Sequence, residues 1–281
     1  MSADPTPLVA VVVAFDSEEL LPRCLTALLE AGVESVLVWD NSPAPRKPWC
    51  QATLGDPRVR RLGDGVNHGF GGGINRAVDT LGDLAGVNLL FVNPDCFVNE
   101  AAVSRIRDRL ADPSVGAVAP GMRYPDGRRG IAGGSRPSVI KEALAATRVD
   151  DLMPRRVRSY VLSGAGGRLP WGAYGASVTS ADDVALAWVS GFCMGIRGTV
   201  FQQAGGFDES FFLYFEDVDL CRRVAACGLK LLVLGGVEVE HVESTSTERA
   251  GKSRLYWAGF EQYAIKYRLR AGRRLASLMQ R

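Results

Sequence analysis

The chain has 281 residues and is 47% hydrophobic, enough for one large α/β domain or two small ones with a real core, which excludes a disordered or fibrous protein. Formal net charge is +2 but uneven: from Arg249 onward nine basic residues face one acid, a net +8, which leaves about −6 for residues 1–248. The body is therefore not a nucleic-acid binder, whereas the end of the chain has the charge to meet an anionic surface.

Six cysteines (Cys24, Cys50, Cys96, Cys193, Cys221 and Cys227) are scattered, with no C-x-x-C pair and no histidine at zinc spacing. Reduced thiols in a cytoplasmic protein are the expectation. The start, MSADPTPLVAVVVAFDSEE, lacks a basic segment and its apolar run ends within about eight residues, so it reads as a buried strand rather than a signal peptide or membrane span.

In chain order, LVAVVVAF (8–15) is a continuous β-branched run of the kind covered on both faces of a sheet. Ser17 precedes a helical pattern over Glu18–Ala31 closed by Gly32. SVLVWD, RVRRL, VNLLFVN and SVGAVAP follow as strands, with GGGINRAVDTL as a helix between the second and third of these. Strands alternating with helices predict βαβ units and a mainly parallel sheet, in which ligands bind beyond the carboxyl ends of the strands. Asp16, Asp40, Asn41, Asn67 and Asp95 stand at or just after such ends.

From Tyr124 to Asp183 the pattern decays into Gly, Pro, Arg and Ser, with only VIKEALAAT reading as helical, and a loop-rich stretch of that length inside a compact domain is usually functional or mobile. VALAWVSGFCMGI then reads as strand, turn and strand, RGTVFQQAG as a short helix, and KLLVLGG and VEVEH as two strands. Leu255–Met279 is expected to be one helix with Tyr256, Phe260, Tyr263, Tyr267 and Leu275 along one side.

Three stretches have the composition for chemistry. NHGFGGGINRA is glycine-dense ahead of a helix, so its N–H groups could approach a phosphate, although the spacing matches neither the dinucleotide fingerprint nor a P-loop, and a plain tight turn explains it equally. LLFVNPDC delivers Asp95 just past a strand, where it either caps the next helix or helps hold a divalent ion on a diphosphate, with His241 at the end of VEVEH as the partner ligand. GGFDESFFLYFEDVDLCRRV sets Glu216, Asp217 and Asp219 directly after an aromatic run. Acids in the first turn of a helix are favoured by its dipole and unpaired N–H groups, which is the plain structural explanation.

Taken together, VVVAFDSEELLPRCL, VWDNS, NHGFGGGIN, FVNPD, WVSGFCMGIRGTVF, GGFDESFFLYFEDVDLCRRV and the histidine before ESTST resemble the family 2 inverting glycosyltransferases, in particular rhamnosyltransferase-like bacterial members. The resemblance runs from about Leu8 to Ser246 and leaves out 124–183. It implies the nucleotide-diphospho-sugar transferase (GT-A) fold: an α/β, Rossmann-like domain over 1–248 with a donor half to about 120 and an acceptor half beyond it, then a basic helical extension over 249–281. It also implies a nucleotide diphosphate sugar donor, with deoxythymidine diphosphate rhamnose the commonest in such members, a polyprenyl-linked or glycan acceptor, and Mg²⁺ or Mn²⁺ as cofactor.

By position the resemblance puts Asp40 at the pyrimidine base, and Asp16, Asn41, Asn67, Gly69, Phe70, Gly71, Asn75 and Asn93 around the rest of the donor. Asp95 and His241 would hold the metal, Trp188, Ser190, Gly191 and Asp219 would border the acceptor, and Asp217 would be the base with Glu216 as the alternative. Two positions depart from the pattern: Asn93-Pro94-Asp95 stands where an acidic D-x-D is usual, and Ala14-Phe15-Asp16 where Thr-Tyr-Asn is commoner.

An inverting transfer needs a base for the acceptor hydroxyl, and a carboxylate beside aromatic walls has its ionised form disfavoured, so its basicity rises. On that reading Phe211 to Phe215 form the dry wall and a surface for sugar stacking. Two other functions share the fold: a sugar-nucleotide nucleotidyltransferase, which normally carries a basic glycine-rich loop where this chain has the acidic FDSEELL, and a non-catalytic nucleotide-sugar binder. Against the latter stands the intact set of Asp95, Asp217 and His241.

Overall fold

The computed structural model describes residues 6–43, 55–147, 181–242 and 254–280. Cys50, the greater part of the irregular stretch (148–180), the ESTST run and the expected domain boundary near 248 lie outside the described residues.

The first strand, β1 (Leu8–Ala14), is buried on both faces along its whole length, as its unbroken apolar run requires. It pairs in parallel with β2 (Ser35–Asp40) and with β4 (Asn88–Val92), and β2 in turn pairs in parallel with β3 (Val59–Leu62). Helix α1 (Leu21–Glu30) starts three residues later than the pattern predicts, because Pro22 sits in its first turn and the Ser17 carbonyl accepts the N–H groups of Leu20 and Leu21 instead. Helix α2 (Gly69–Asp79) begins inside the glycine run, and α3 (Glu100–Leu110) is capped by Asn99, whose Oδ1 accepts the Ala102 N–H at 2.9 Å. Asp95 is thus free of the capping task.

The second half adds β5 (Cys96–Phe97), β6 (Val115–Arg123), β7 (Gly133–Gly134), α4 (Val139–Thr147), β8 (Val184–Ala185), β9 (Trp188–Val189), β10 (Cys193–Arg197), α5 (Gly198–Gln203), α6 (Glu216–Ala226) and β11 (Lys230–His241). One nine-stranded sheet results, in the order β3-β2-β1-β4-β10-β6-β11-β5 with β8 on β11, while β7 and β9 form a separate pair. The sheet is mainly parallel as expected, with β10 antiparallel to both β4 and β6, and β5 and β8 antiparallel to β11. KLLVLGG and VEVEH are one strand rather than two: the register against β6 slips between Val233 and Glu238, where Gly236 takes a φ of 73°.

The predicted C-terminal helix is two, α7 (Arg254–Lys266) and α8 (Arg270–Met279), broken where Arg268 turns left-handed at φ 58°. Neither is an appendage. Trp257, Phe260 and Tyr263 of α7 and Ala276 of α8 form one buried cluster with Phe211, Phe215 and Val218 around the start of α6. Gly272 on α8 lies flush against Val139, Ala264 and Phe260. The aromatic stripe therefore faces the domain, and the arginines Arg270, Arg273 and Arg274 face outward. Cys24, Cys96, Cys193, Cys221 and Cys227 are free thiols. Among the described residues no helix is long and apolar enough to cross a membrane.

Candidate active site

The carboxyl ends of β1, β2 and β4 make one rim. Ala14 and Asp40 are register partners, the Asn41 N–H bonds the Ala14 carbonyl at 2.8 Å, and the Asp16 N–H bonds Ser42 Oγ at 3.2 Å. Asp16 is exposed and left-handed, at φ 48°, which Asp tolerates better than most residues. Asp40 is fully buried; its Oδ1 accepts the Ser42 N–H at 2.9 Å, and Arg61 Nη2 reaches its Oδ2 at 2.5 Å. Arg61 comes from β3, and its part in this rim was not anticipated from the sequence.

The glycine turn is built for close packing of the chain on itself. Gly69 has a φ of 73°, and a Cβ there would lie 2.1 Å from the Phe212 carbonyl oxygen, which also accepts the Phe70 N–H at 3.1 Å. The Gly69 N–H is bonded to Asn67 Oδ1 at 2.9 Å, and Gly71 abuts the side chain of Phe207. Asn41 spends its carboxamide on the same turn: Nδ2 donates to the Gly69 carbonyl at 2.9 Å, while Oδ1 accepts from Trp39 Nε1 and the His68 N–H. Asn75 clamps the far side, accepting the Phe207 N–H and donating to its carbonyl, both at 2.9 Å. Asn41 ties the turn to the end of β2, while Gly69, Gly71 and Asn75 tie it to the 207–212 segment, because a left-handed turn packed under another loop has to satisfy its own polar groups first.

Asn93 follows β4, and its N–H bonds the Phe192 carbonyl at 2.9 Å, which brings Gly191 and Ser190 alongside. The two-residue strand β5 pairs with the end of β11 so that Cys96 faces His241, and the Val242 N–H bonds the Asp95 carbonyl at 2.9 Å. This pairing sets His241 Nε2 3.1 Å from Asp95 Oδ1 and 3.2 Å from Asn93 Nδ2. One carboxylate oxygen and one imidazole nitrogen thus converge on one point, a donor set that suits Mn²⁺ or Mg²⁺ when phosphate oxygens complete the shell. Among the described residues no group of three acidic, histidine or cysteine side chains gathers to hold a metal without such help. His241 Nδ1 is buried with no hydrogen-bond partner among them.

Between this point and α6 lies a largely apolar cleft of about 390 Å³ whose lining includes Phe70, Asn93, Trp188, Ser190, Gly191 and His241 together with Glu216 and Asp217. The turn before α6 is strained: Tyr214 and Phe215 are both left-handed, at φ 68° and 70°, a conformation costing about 1–3 kcal/mol per non-glycine residue. Phe215 is held there by Tyr256, Phe260 and Tyr263, with ring centroids 5.1, 5.5 and 5.6 Å away, and α7 approaches so closely that a Cβ on Gly259 would lie 2.5 Å from the Tyr214 carbonyl.

The strained turn aims two carboxyls into the cleft. Asp217 Oδ2 accepts the Gly191 N–H at 2.9 Å and Oδ1 the Val218 N–H at 2.8 Å. Burial raises its pKa above the usual Asp value, while these backbone donors pull the other way. Glu216 is buried, with no hydrogen-bond partner for Oε2 among the described residues, and burial first and the neighbouring Asp217 second push its pKa well above the ordinary range.

Asp219 does not join them. Its carboxylate is fully buried on the other side of α6, accepting the Tyr267 hydroxyl at 2.7 Å, Arg223 Nε at 2.8 Å and Lys266 Nζ at 2.7 Å. Two residues along a helix is about 200°, so Asp217 and Asp219 cannot share a face, and the expected acceptor role of Asp219 gives way to a tie between α6 and α7. Of the aromatic run, Leu213, Tyr214 and Phe215 wall the cleft; Phe211 is buried against α7 and Phe212 is half-exposed. Met122, Tyr124, Ser135, Glu142 and Tyr256 also line it and went unnoticed as site residues; the helical VIKEALAAT inside the irregular stretch was the available signal for Glu142.

Sheet, cleft and carboxylates together define an α/β transferase of the GT-A class. Residues 5–259 match the model for the glycosyltransferase-like family 2, and the chain belongs to that family. It is 31% identical over 264 residues, 90% of this chain and 80% of the relative, to an N-acetylglucosaminyl-diphospho-decaprenol L-rhamnosyltransferase of Mycobacterium tuberculosis. It is also 23% identical, over 76% of this chain and 60% of the relative, to the low-salt glycan biosynthesis hexosyltransferase Agl10 of Haloferax volcanii. Similar folds are found in GalNAc-T7 with UDP, GalNAc and Mn²⁺ (TM-score 0.61, 10% identity, 93% of this chain and 48% of that one) and in S. aureus TarS 1–349 with UDP-GlcNAc (TM-score 0.57, 12% identity, 92% and 66%). The protein is a glycosyltransferase.

Proposed function

We propose that this glycosyltransferase inverts the anomeric centre as it moves a hexose from a nucleotide diphosphate to a hydroxyl of a lipid-linked sugar or growing glycan. Rhamnose is the sugar favoured by the name of the M. tuberculosis relative, which also names a lipid-linked N-acetylglucosamine acceptor. The observation that carries the reading is Asp217: a carboxylate in an apolar cleft, fixed by two backbone N–H groups and raised in basicity by burial.

Asp217 accepts the acceptor's hydroxyl proton as that oxygen bonds to the anomeric carbon, while the bond from that carbon to the diphosphate oxygen breaks on the opposite face. The Gly191 and Val218 N–H groups keep the carboxylate oriented through the transfer. Burial of Glu216, and next the neighbouring Asp217, favour its protonated form, which leaves Asp217 the carboxylate placed to take the proton. Asp40 with Arg61 marks the end of the rim for the base of the nucleotide. With Mg²⁺ or Mn²⁺ bound, Asp95 and His241 would hold it, and it would offset charge on the leaving diphosphate.

The outward arginines of α8, beside the half-exposed Met279 and the exposed Leu278, fit the reading that this face rests on an anionic membrane where a lipid-linked acceptor lies. The function is tested by incubating the protein with deoxythymidine diphosphate rhamnose and a short-chain N-acetylglucosaminyl diphospholipid, with and without EDTA, and assigning the product anomer by NMR. An inverted, metal-dependent linkage is expected. A retained anomer, or donor hydrolysis with no product, overturns the reading.

A further inference from the structure

The stretch that the family motifs leave out brings a buried cation up behind one wall of the cleft. Strand β7 pairs with β9, Gly133 with Val189 and Gly134 with Trp188, and the Ser190 N–H bonds the Ala132 carbonyl at 2.9 Å. Ser135, the residue after β7, is thereby held beside Trp188, whose Nε1 donates to the Ser135 carbonyl at 3.0 Å, and it lines the same cleft as Asp217. Ser138 starts α4, its Oγ accepting the Lys141 N–H at 3.3 Å and its carbonyl the Glu142 N–H at 3.0 Å. That turn folds Lys141 inward: the residue is 7% exposed, and its Nζ donates to the Ser135 hydroxyl at 2.5 Å.

A buried ammonium is costly unless an anion meets it. Among the described residues Lys141 forms no ion pair; the neighbouring Glu142 acts on it only through its field and is itself bonded to the Tyr256 hydroxyl at 2.9 Å. Burial pulls the Lys141 pKa down against that field. An ammonium has donors only, so Ser135 Oγ is the acceptor of the pair. The serine's own O–H has no other hydrogen-bond partner among the described residues and is left to donate to a ligand. The cleft wall thus carries a hydroxyl polarised by a cation behind it, a donor that favours an anionic oxygen over a neutral one. On the function proposed above, the nucleotide's diphosphate lies at Asp95 and His241, and a lipid-linked acceptor carries a second diphosphate on the same sugar whose hydroxyl meets Asp217. We propose that Ser135, polarised by Lys141, binds a phosphate oxygen of the acceptor's diphosphate. The proposal rests on the glycosyltransferase reading and adds to it a choice among acceptors: a sugar on a lipid diphosphate is taken in preference to the same sugar without phosphate.

Wild type, Ser135→Ala and Lys141→Met are titrated by calorimetry with citronellyl N-acetylglucosaminyl diphosphate, with methyl β-N-acetylglucosaminide and with deoxythymidine diphosphate, and each is checked for an unchanged circular dichroism spectrum. The wild type should bind the diphospholipid more tightly than the methyl glycoside. Each variant should bind the diphospholipid on the order of ten- to a hundredfold more weakly, the equivalent of a lost hydrogen bond to a charged group, while its affinity for the other two probes stays that of the wild type. The double variant should lose less than the two single losses added together, because both residues act through one contact. In transfer assays each variant should raise the acceptor KM more than it lowers kcat. Diphospholipid affinity unchanged in both variants, or no greater than that for the methyl glycoside in the wild type, overturns the subsite. A loss shared equally with the methyl glycoside moves the contact to the sugar, and a loss on deoxythymidine diphosphate moves it to the donor; either overturns the assignment. Failure of the wild type to bind the nucleotide would instead strike the functional reading beneath it. If Lys141→Met does not fold, Ser135→Ala alone decides, because removing one oxygen from a half-buried side chain leaves the core in place.

Discussion

Replacing Asp219 by Asn tests whether the third carboxylate of the EDVD run serves the fold or the substrate. Its three partners fare differently on loss of the charge. Arg223 keeps the Ala204 and Gly206 carbonyls, Lys266 keeps Asp208 at 2.6 Å, and both cations reach solvent, whereas the Tyr267 hydroxyl has no other hydrogen-bond partner among the described residues. Removing one member of a buried ion pair costs about 3–5 kcal/mol when the other is stranded. Here neither cation is stranded, so the loss should approach that of a hydrogen bond to a charged group, about 2 kcal/mol. At 2–4 °C per kcal/mol for a domain of this size, Tm should fall by roughly 4–8 °C. Differential scanning calorimetry in parallel with acceptor titration is the assay. An unchanged Tm with a raised acceptor KM would refute the reasoning and return Asp219 to the substrate side.

Further outcomes follow from the same geometry. Burial raises the pKa of Glu216, so the folded state holds its proton more tightly than the unfolded chain; that stabilisation is complete below ordinary carboxylate values and is lost as pH rises through the raised one. Glu216→Gln should therefore gain in Tm relative to wild type as pH climbs from about 4 to about 8, and a constant difference would contradict the shift. Asp95→Ala and His241→Ala should each weaken metal-dependent donor binding, and the double variant should lose less than the two single losses added together, as two ligands of one ion require. Additive losses by calorimetry, or binding unchanged in EDTA, would sink the shared-metal assignment. Glu in place of Arg270, Arg273 and Arg274 should abolish sedimentation with anionic vesicles at low salt, each arginine near the surface contributing about 1 kcal/mol, while folding is kept because those side chains point outward. Equal binding of the wild type to neutral vesicles would count against a membrane-facing α8.

The strands were legible because residues covered on both faces must be apolar throughout: β1 and β4 are buried along their whole length and read as such. Helix α6 was legible from acids at its start and apolar residues at helical spacing. The chemistry was less so, because polarity at a strand end does not say which way a side chain turns. Asn41 and Asn75 have the residue type and place of ligands and are bound up in the glycine turn. Asp95 and His241 could be paired from their places at strand ends, but the two-residue strand that brings them together is too short to leave a pattern. Glu142 and Tyr256 meet across 114 residues, and the break at Arg268 uses a left-handed residue that is not glycine, so neither leaves a local signal.

The claim that Asp217 is the base is met most directly by comparing Asp217→Asn with Glu216→Gln, measuring transfer turnover and donor affinity on the same preparations. Asp217 is held by the Gly191 and Val218 N–H groups, both outside the donor half, and a general base contributes about 10²–10⁴ in rate. Asp217→Asn should thus lose transfer by that order while donor Kd stays within a few fold, and Glu216→Gln should keep most of its turnover. Near-normal turnover in Asp217→Asn together with an inactive Glu216→Gln would contradict the account and move the base to the neighbouring carboxyl.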